Sequence, residues 1–310
     1  MGNLIHIGLI GCGAIARQAH LPVLRRAGGV RVAAVADAAP QQLPPGVPGF
    51  TDYRQLLDLP DIMAVVITAP TSLHAEIAEA AFARGKHVYL EKPLAISQSE
   101  ADRVVSAWRR AGTVGMIGFN YRFNPLLAEL REQVKALGQL AAARSVFSLA
   151  ARAMPSWKDA RSTGGGVLLD LASHHVDLAR FLFGEEIVAV RATVRAVQRE
   201  ADTATLELRF ASGCRLQSFF SWCAVEEDRW EIYGTMGKAM VNRYGGGLGY
   251  RLRKRGAPGG DPSYRIALEH FLQAVRRGAP AQPDFADGLQ SLRVILAAEE
   301  SAKSGSEVLL

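Results

Sequence analysis

The run Gly11-Cys12-Gly13-Ala14-Ile15-Ala16 constrains this chain more than any other feature. It lies between an apolar strand-like stretch, Leu4 to Ile10, and an amphipathic helical pattern over 14–26. That is where the glycine fingerprint of a dinucleotide-binding βαβ unit falls. Gly11 permits a tight turn, Gly13 lets the backbone approach a pyrophosphate, and Ala16 is small enough for close packing of helix on strand. The amides of the first helical turn, Ala14 and Ile15 among them, then face the phosphates. Asp37 closes the second strand-like run about 20 residues further on, where a carboxylate accepts hydrogen bonds from the adenosine ribose hydroxyls. No Arg or Lys follows it closely, so a 2′-phosphate would meet a carboxylate, and NAD is favoured over NADP. The competing reading is a glycine-rich turn of a doubly wound sheet that holds no ligand.

Residues 1–120 alternate short apolar runs with amphipathic patterns, the order of βαβ units around a parallel sheet. Strands are predicted at Leu4 to Ile10, Val32 to Ala36, Ile62 to Thr68, His87 to Leu90 and Val114 to Phe119. Helices are predicted at Ala14 to Arg26, Tyr53 to Asp58, Leu73 to Arg84 and Ser97 to Ala111. Between Asp37 and Phe50, Pro40, Pro44, Pro45 and Pro48 exclude an ordinary second helix and predict an extended loop. After Phe119 the pattern changes. A helix over Pro125 to Leu137 precedes longer strand-like stretches at Leu140 to Leu149, Ile187 to Val197, Thr203 to Phe210, Arg215 to Trp222 and Trp230 to Tyr233. A central helix covers Gly166 to Phe183, and closing helices cover Tyr264 to Arg277 and Ala286 to Ser304. The fold class is α/β: a doubly wound parallel sheet in a domain of residues 1–120, then an α+β domain of residues 121–310 with a large, mostly antiparallel open sheet. The last helix is expected to pack back on the first domain.

Composition narrows the activity. The 310 residues are 49% hydrophobic and 21% charged, a globular mix whose length suits two domains. No apolar run reaches the roughly 20 residues of a membrane-spanning helix, and Met1 is followed by a strand-like segment instead of a basic leader. A cytoplasmic enzyme with no membrane partner is expected. Cys12, Cys214 and Cys223 form no CxxC pair, so neither a disulfide framework nor a cysteine zinc site is indicated, and a reducing compartment fits. The net charge of +6 is spread, with +2 in residues 1–120 and +4 in the rest. The basic cluster Arg251, Arg253, Lys254 and Arg255 has no interleaved aromatics and reads as a solvated loop, not a nucleic-acid surface.

Asp170, His174 and Asp177 stand at i, i+4 and i+7 on the central helix, just after Gly164-Gly165-Gly166, so they project from one face. A carboxylate neighbour makes an imidazole a better proton acceptor, which suits general-base work. A structural hydrogen-bonded patch and a metal site remain open as alternatives. His175 points about a quarter turn away and is a weaker candidate. Lys92, in Glu91-Lys92-Pro93, follows the strand His87 to Leu90. Ligands of open α/β sheets bind at the carboxyl ends of strands, so Lys92 is a candidate for holding a substrate hydroxyl beside the nicotinamide.

These motifs together resemble the Gfo/Idh/MocA oxidoreductase family, named for glucose-fructose oxidoreductase and inositol dehydrogenase. The resemblance runs from Gly11 to Ala16 through Ala69-Pro70-Thr71-Ser72-Leu73-His74, Gly85 to Val88, Glu91-Lys92-Pro93 and Gly118 to Pro125. It continues through Trp157-Lys158, the Gly165 to Asp177 helix and the closing segment Gly288 to Gly305. The resemblance implies an N-terminal Rossmann domain that binds NAD(P), with Ala69, Pro70, His74 and Glu91 joining the fingerprint at the cofactor. It also implies a C-terminal open sheet that walls the substrate site and often forms the oligomer interface. Lys92, Asp170 and His174 correspond to the catalytic set, and Asn120, Arg122, Trp157 and Lys158 to positions near the substrate, with no metal. Thr71 stands where many members carry Asn, and Ala69 precedes Pro70 where many carry Thr.

The expected activity is NAD-dependent oxidation of a secondary alcohol on a sugar, sugar acid or cyclitol, or reduction of the matching ketone, by a homo-oligomer, a dimer or tetramer. The alternatives are redox-neutral NAD chemistry, as in a glycosidase or epimerase, and a non-catalytic NAD-binding sensor. Arg122, Arg152, Lys158 and Arg161 form a candidate recognition set for a carboxylated or phosphorylated sugar.

Overall fold

The computed structural model of the chain describes residues 4–158, 160–244 and 261–310. The basic cluster at Arg251 to Arg255 lies outside the described residues. Among those described, 4–120 and 261–289 gather into one compact unit, and 121–244 with 290–310 into another. A single division at residue 120 therefore does not describe the chain.

The first unit is built on a six-stranded parallel sheet of β1 (Ile5–Ile10), β2 (Val30–Ala36), β3 (Gly49–Phe50), β4 (Ala64–Ile67), β5 (His87–Leu90) and β6 (Gly115–Ile117). Their order, β3-β2-β1-β4-β5-β6, is that of a doubly wound dinucleotide-binding sheet. Ile7, Leu9, Val65, Val66 and Ile67 are fully buried, as strands covered by helices on both faces must be. The covering helices are α1 (14–26), α2 (Tyr53–Leu57), α3 (His74–Ala83), α4 (Gln98–Ala111) and, from late in the sequence, α7 (Pro262–Arg277). The Ser97 hydroxyl caps α4, and Gly112 ends it in the left-handed conformation at φ 62°. Asp261 and Pro262 start α7 in the same deliberate way, an acidic cap followed by proline. The proline-rich stretch after Asp37 forms only one short turn, Pro40–Gln42, before edge strand β3, as four fixed proline φ angles require.

The second unit carries a seven-stranded sheet in the order β12-β11-β7-β10-β9-β8-β13. Its members are β7 (Leu140–Ser148), β8 (Ile187–Arg195), β9 (Thr203–Phe210), β10 (Arg215–Ser221), β11 (Glu227–Gly234), β12 (Gly237–Asn242) and β13 (Val308–Leu309). Every pair is antiparallel except β7 with β10. The exception follows from the connections. Helix α6 (167–183) is a crossover that returns the chain in the direction of β7, and the turns from β8 through β10 then lay β10 parallel to β7. Helix α5 (Pro125–Lys135) precedes the sheet, and α8 (Phe285–Ser304) begins in the first unit and ends in the second. The segment returned to the first unit is thus α7 together with the first turn of α8, where Phe285 meets Phe82 and Trp108.

Two helices depart from simple 3.6-residue periodicity. Ala16–His20 in α1 and Leu168–Ala172 in α6 are wider π turns. Both fall at motif residues, as such turns often do. Among the described residues, no helix is long and apolar enough to cross a membrane.

Candidate active site

The fingerprint is built around two glycines with different tasks. Gly11 has φ +88°, and a Cβ there would sit 2.5 Å from the Ala69 nitrogen and 2.6 Å from the Thr68 carbonyl carbon. Only glycine allows β1 to turn this closely past β4. At Gly13 a Cβ would meet nothing within 4 Å, so the backbone faces open space. Ala16 is fully buried against the sheet. Ala14 and Ile15 supply amides of the first turn, whose partners lie outside the helix by construction. Asp37 receives the Cys12 amide at 2.6 Å and the Ala39 amide at 2.8 Å, so the carboxylate pins the loop it serves. An open glycine backbone, a helix N-terminus and an anchored carboxylate fit the phosphates and ribose of a dinucleotide.

The sequence pattern misses Arg17, on the next turn of α1. Its guanidinium donates to the Cys12 carbonyl at 2.8 Å and to the Gln42 side chain of the proline-rich loop. Cys12 is not a nucleophile. Burial, then the Asp37 charge, push its thiol up to about 11 against the opposing effect of Arg17.

At the carboxyl end of β5, Lys92 is half-buried and its peptide to Pro93 is cis. Glu91 is buried; its Oε1 lies 2.7 Å from Nε2 of the fully buried His20, and its Oε2 accepts the Lys92 amide at 3.2 Å. A Cβ on Gly118 would stand 3.1 Å from the Glu91 carboxyl carbon, so glycine there gives the acid its room. His74, expected at the cofactor, instead bridges two loops, with Nδ1 2.7 Å from the Pro93 carbonyl and Nε2 2.9 Å from the Ala69 carbonyl. Burial holds its pKa below the ordinary value, although both carbonyls favour the charged ring. Asn120, expected at the substrate, is also turned inward: it is 1% exposed and donates to Ser263 of α7 at 2.8 Å.

In the second unit, Gly165 lets the chain fold onto itself ahead of α6, since a Cβ there would lie 2.1 Å from the Lys158 carbonyl oxygen. Nζ of Lys158 donates to Oδ2 of Asp170 at 2.7 Å, and the ammonium lies 5.4 Å from the Trp157 ring centroid. Asp170 falls inside the π turn, so its direction relative to His174 differs from that of a regular i, i+4 pair. His174 is 9% exposed and stacks on the Tyr121 ring at 4.4 Å and 18°. Asp177 has a different task. It is fully buried and takes Nε and Nη2 of Arg122 at 2.8 and 2.7 Å. Arg122, expected at the substrate, thus directs its fork to an internal carboxylate. Arg161 likewise meets Glu299 at 2.5 Å, so three of the four cations considered for an anionic sugar each face their own acid. His175 points into the sheet, with Nδ1 3.0 Å from the Ser145 hydroxyl, and burial lowers its pKa. Among the described residues, no group of His, Cys, Asp and Glu is arranged to hold a metal ion.

Comparison with known proteins identifies the family. Residues 5–119 match the oxidoreductase family with an NAD-binding Rossmann fold, and residues 127–240 match the GFO/IDH/MocA C-terminal domain. The chain is 27% identical over 280 residues to myo-inositol 2-dehydrogenase of Thermotoga maritima, covering 84% of each protein. It is 27% identical over 327 residues to inositol 2-dehydrogenase of Rhizobium meliloti, covering 98% of each. Among solved structures, levoglucosan dehydrogenase in complex with NADH and L-sorbose superposes with a TM-score of 0.85 at 27% identity, over 100% of this chain and 99% of that one. The parallel sheet with its fingerprint and the second mixed sheet therefore have one explanation: the chain belongs to the GFO/IDH/MocA family of NAD-binding oxidoreductases.

Proposed function

We propose that this protein is an NAD-dependent dehydrogenase that moves a hydride between nicotinamide and a secondary alcohol or ketone of a sugar, sugar acid or cyclitol, with Lys92, Asp170 and His174 as its catalytic groups. The observation that carries the reading is the His174 imidazole, held flat against Tyr121 on the helix that also presents Asp170. Relatives named for inositol and levoglucosan support the substrate class.

Bound NAD supplies a two-electron acceptor for hydride. The alcohol carbon that gives up hydride becomes a carbonyl carbon, and its hydroxyl proton passes to the His174 imidazole. The Lys92 ammonium, at the carboxyl end of β5, holds the reacting oxygen. Asp170, balanced by Lys158, orients the base from the same helix. Trp157 offers an apolar face to a sugar ring, with the Lys158 ammonium for its hydroxyls. Gly11 to Ala16 and Asp37 hold the pyrophosphate and adenosine ribose; Ala69, Pro70 and Glu91 border the nicotinamide half. Asp37 makes NAD the preferred form over NADP.

The test is nicotinamide absorbance with NAD and with NADP across a panel of polyols, sugars and sugar acids at mildly alkaline pH. Reduction of NAD by a neutral polyol supports the reading. His174→Ala should then lose about 10²- to 10⁴-fold in kcat with NAD affinity intact. An unchanged kcat overturns the assignment of the base.

The same reading makes the enzyme a cytoplasmic homo-oligomer, a dimer or tetramer. Its support is the strand face that carries half-buried Phe219 and Val146 and exposed Met240 outward. A monomer by light scattering would remove it.

A further inference from the structure

The second unit holds a buried polar chain that no sequence motif covers. Asp228 on β11 is fully buried, with Oδ2 2.8 Å from Nη1 of Arg243, the residue after β12. The Arg243 amide also donates to the Asp228 carbonyl at 2.7 Å, so main chain and side chain fix the arginine twice. On its other side, Asp228 Oδ1 stands 3.5 Å from Nε2 of His175. The guanidinium carbon of Arg243 lies 3.9 Å from the Tyr121 ring centroid, and that ring stacks on His174. Tyr121 and Arg243 are 6% and 7% exposed, so the whole chain ends on the imidazole without passing through solvent.

The plane of a histidine ring turns on a torsion with broad preferences, so the backbone of α6 does not fix it. The rings packed against it restrict that torsion. Phe147 meets His174 edge-on at 6.3 Å and 70°, while Tyr121 lies flat against it. Burial raises the Tyr121 phenol well above its ordinary range, against the effect of Arg243, so the hydroxyl keeps its proton; what meets His174 is the ring face, at 4.4 Å and 18°. A buried guanidinium and carboxylate are costly to desolvate, and fixing one geometry is the best-attested gain from such a pair.

We propose that Tyr121 is a positioning residue for His174, itself held by Arg243 and Asp228, and that it sets the plane in which the imidazole meets the substrate proton. This rests on His174 being the base. Errors of about 1 Å in such placement cost on the order of a hundredfold in rate.

The experiment uses the full chain saturated with NAD. Tyr121→Leu should lower kcat about ten- to a hundredfold with the NADH Kd unchanged, and Tyr121→Phe, which keeps the ring, should restore most of that loss. Arg243→Lys keeps the charge but not the flat guanidinium, and should lower kcat about three- to tenfold. In a His174→Ala background, Tyr121→Leu should cost nothing further, because two residues acting as one unit are not additive. Equal losses with and without His174 would overturn the proposal. Full activity of His174→Ala would instead overturn the base itself. A substrate-free readout is the ¹⁵N signal of His174, assigned by its disappearance in His174→Ala. It should move in Tyr121→Leu and stay in Tyr121→Phe; a signal unmoved in both would also overturn the proposal.

Discussion

Nε2 of His20 lies 2.7 Å from Oε1 of Glu91, one residue before Lys92, and the histidine is wholly buried. His20→Ala should leave that oxygen without its donor inside the first unit and cost about 1–3 kcal/mol. Urea unfolding measures the loss, and His20→Gln should recover part of it. Equal midpoints for wild type and His20→Ala would show that the pair carries no stability.

The two fingerprint glycines should fail differently. Gly11→Ala places a Cβ against the Thr68 and Ala69 backbone at positive φ, so its cost falls on folding, at roughly 1–3 kcal/mol or more. Gly13→Val projects into open space, so the protein should fold with a normal melting temperature and bind NADH about tenfold or more weakly. Calorimetry and NADH fluorescence titration on both variants check the contrast.

Asp177 and Arg122 form a buried bidentate pair, so Asp177→Ala should strand the guanidinium and cost about 3–5 kcal/mol. The double variant Asp177→Leu with Arg122→Met should recover most of that. If Arg122→Met raises KM sharply with stability unaltered, the arginine belongs to the substrate after all.

Stability should fall with acidification. Burial lowers the pKa of His74 and His175 from 6.5 in the folded chain, so the unfolded chain takes up their protons first. Their contribution is complete above about pH 6.5 and is lost as pH falls toward the folded values, at no more than about 1.4 kcal/mol per pH unit for each. Urea midpoints taken between neutral and mildly acidic pH should slope downward, less steeply in His74→Gln. A flat profile would contradict neutral buried rings.

The first unit is legible in the sequence because strands buried on both faces read as unbroken apolar runs, and because the glycine fingerprint has a fixed place after β1. Strands β3 and β13 have two residues each, too few to carry a period, and β12 is an edge strand whose exposed positions mix Lys238 and Asn242 with Met240. The π turns escape any reading that assumes 3.6 residues per turn. The D-x3-H-x2-D spacing puts Asp170, His174 and Asp177 on one helix but assigns no partners. Arg122 stands 55 positions before Asp177, and Arg243 shares no motif with Tyr121. For the same reason Asn120 and His74 look exposed to ligand in the sequence while their partners are in fact internal.

Helix α8 starts among residues of one unit and finishes among those of the other, and α7 belongs with a sheet that the chain left far upstream. Exchanging the second unit between members of this family therefore cannot be done with one recombination junction after Asn120. Such a splice would part Asn120 from Ser263, its partner on α7. A workable chimera needs three crossovers, the last of them inside a continuous helix, where the turn-by-turn phase of both parents must agree.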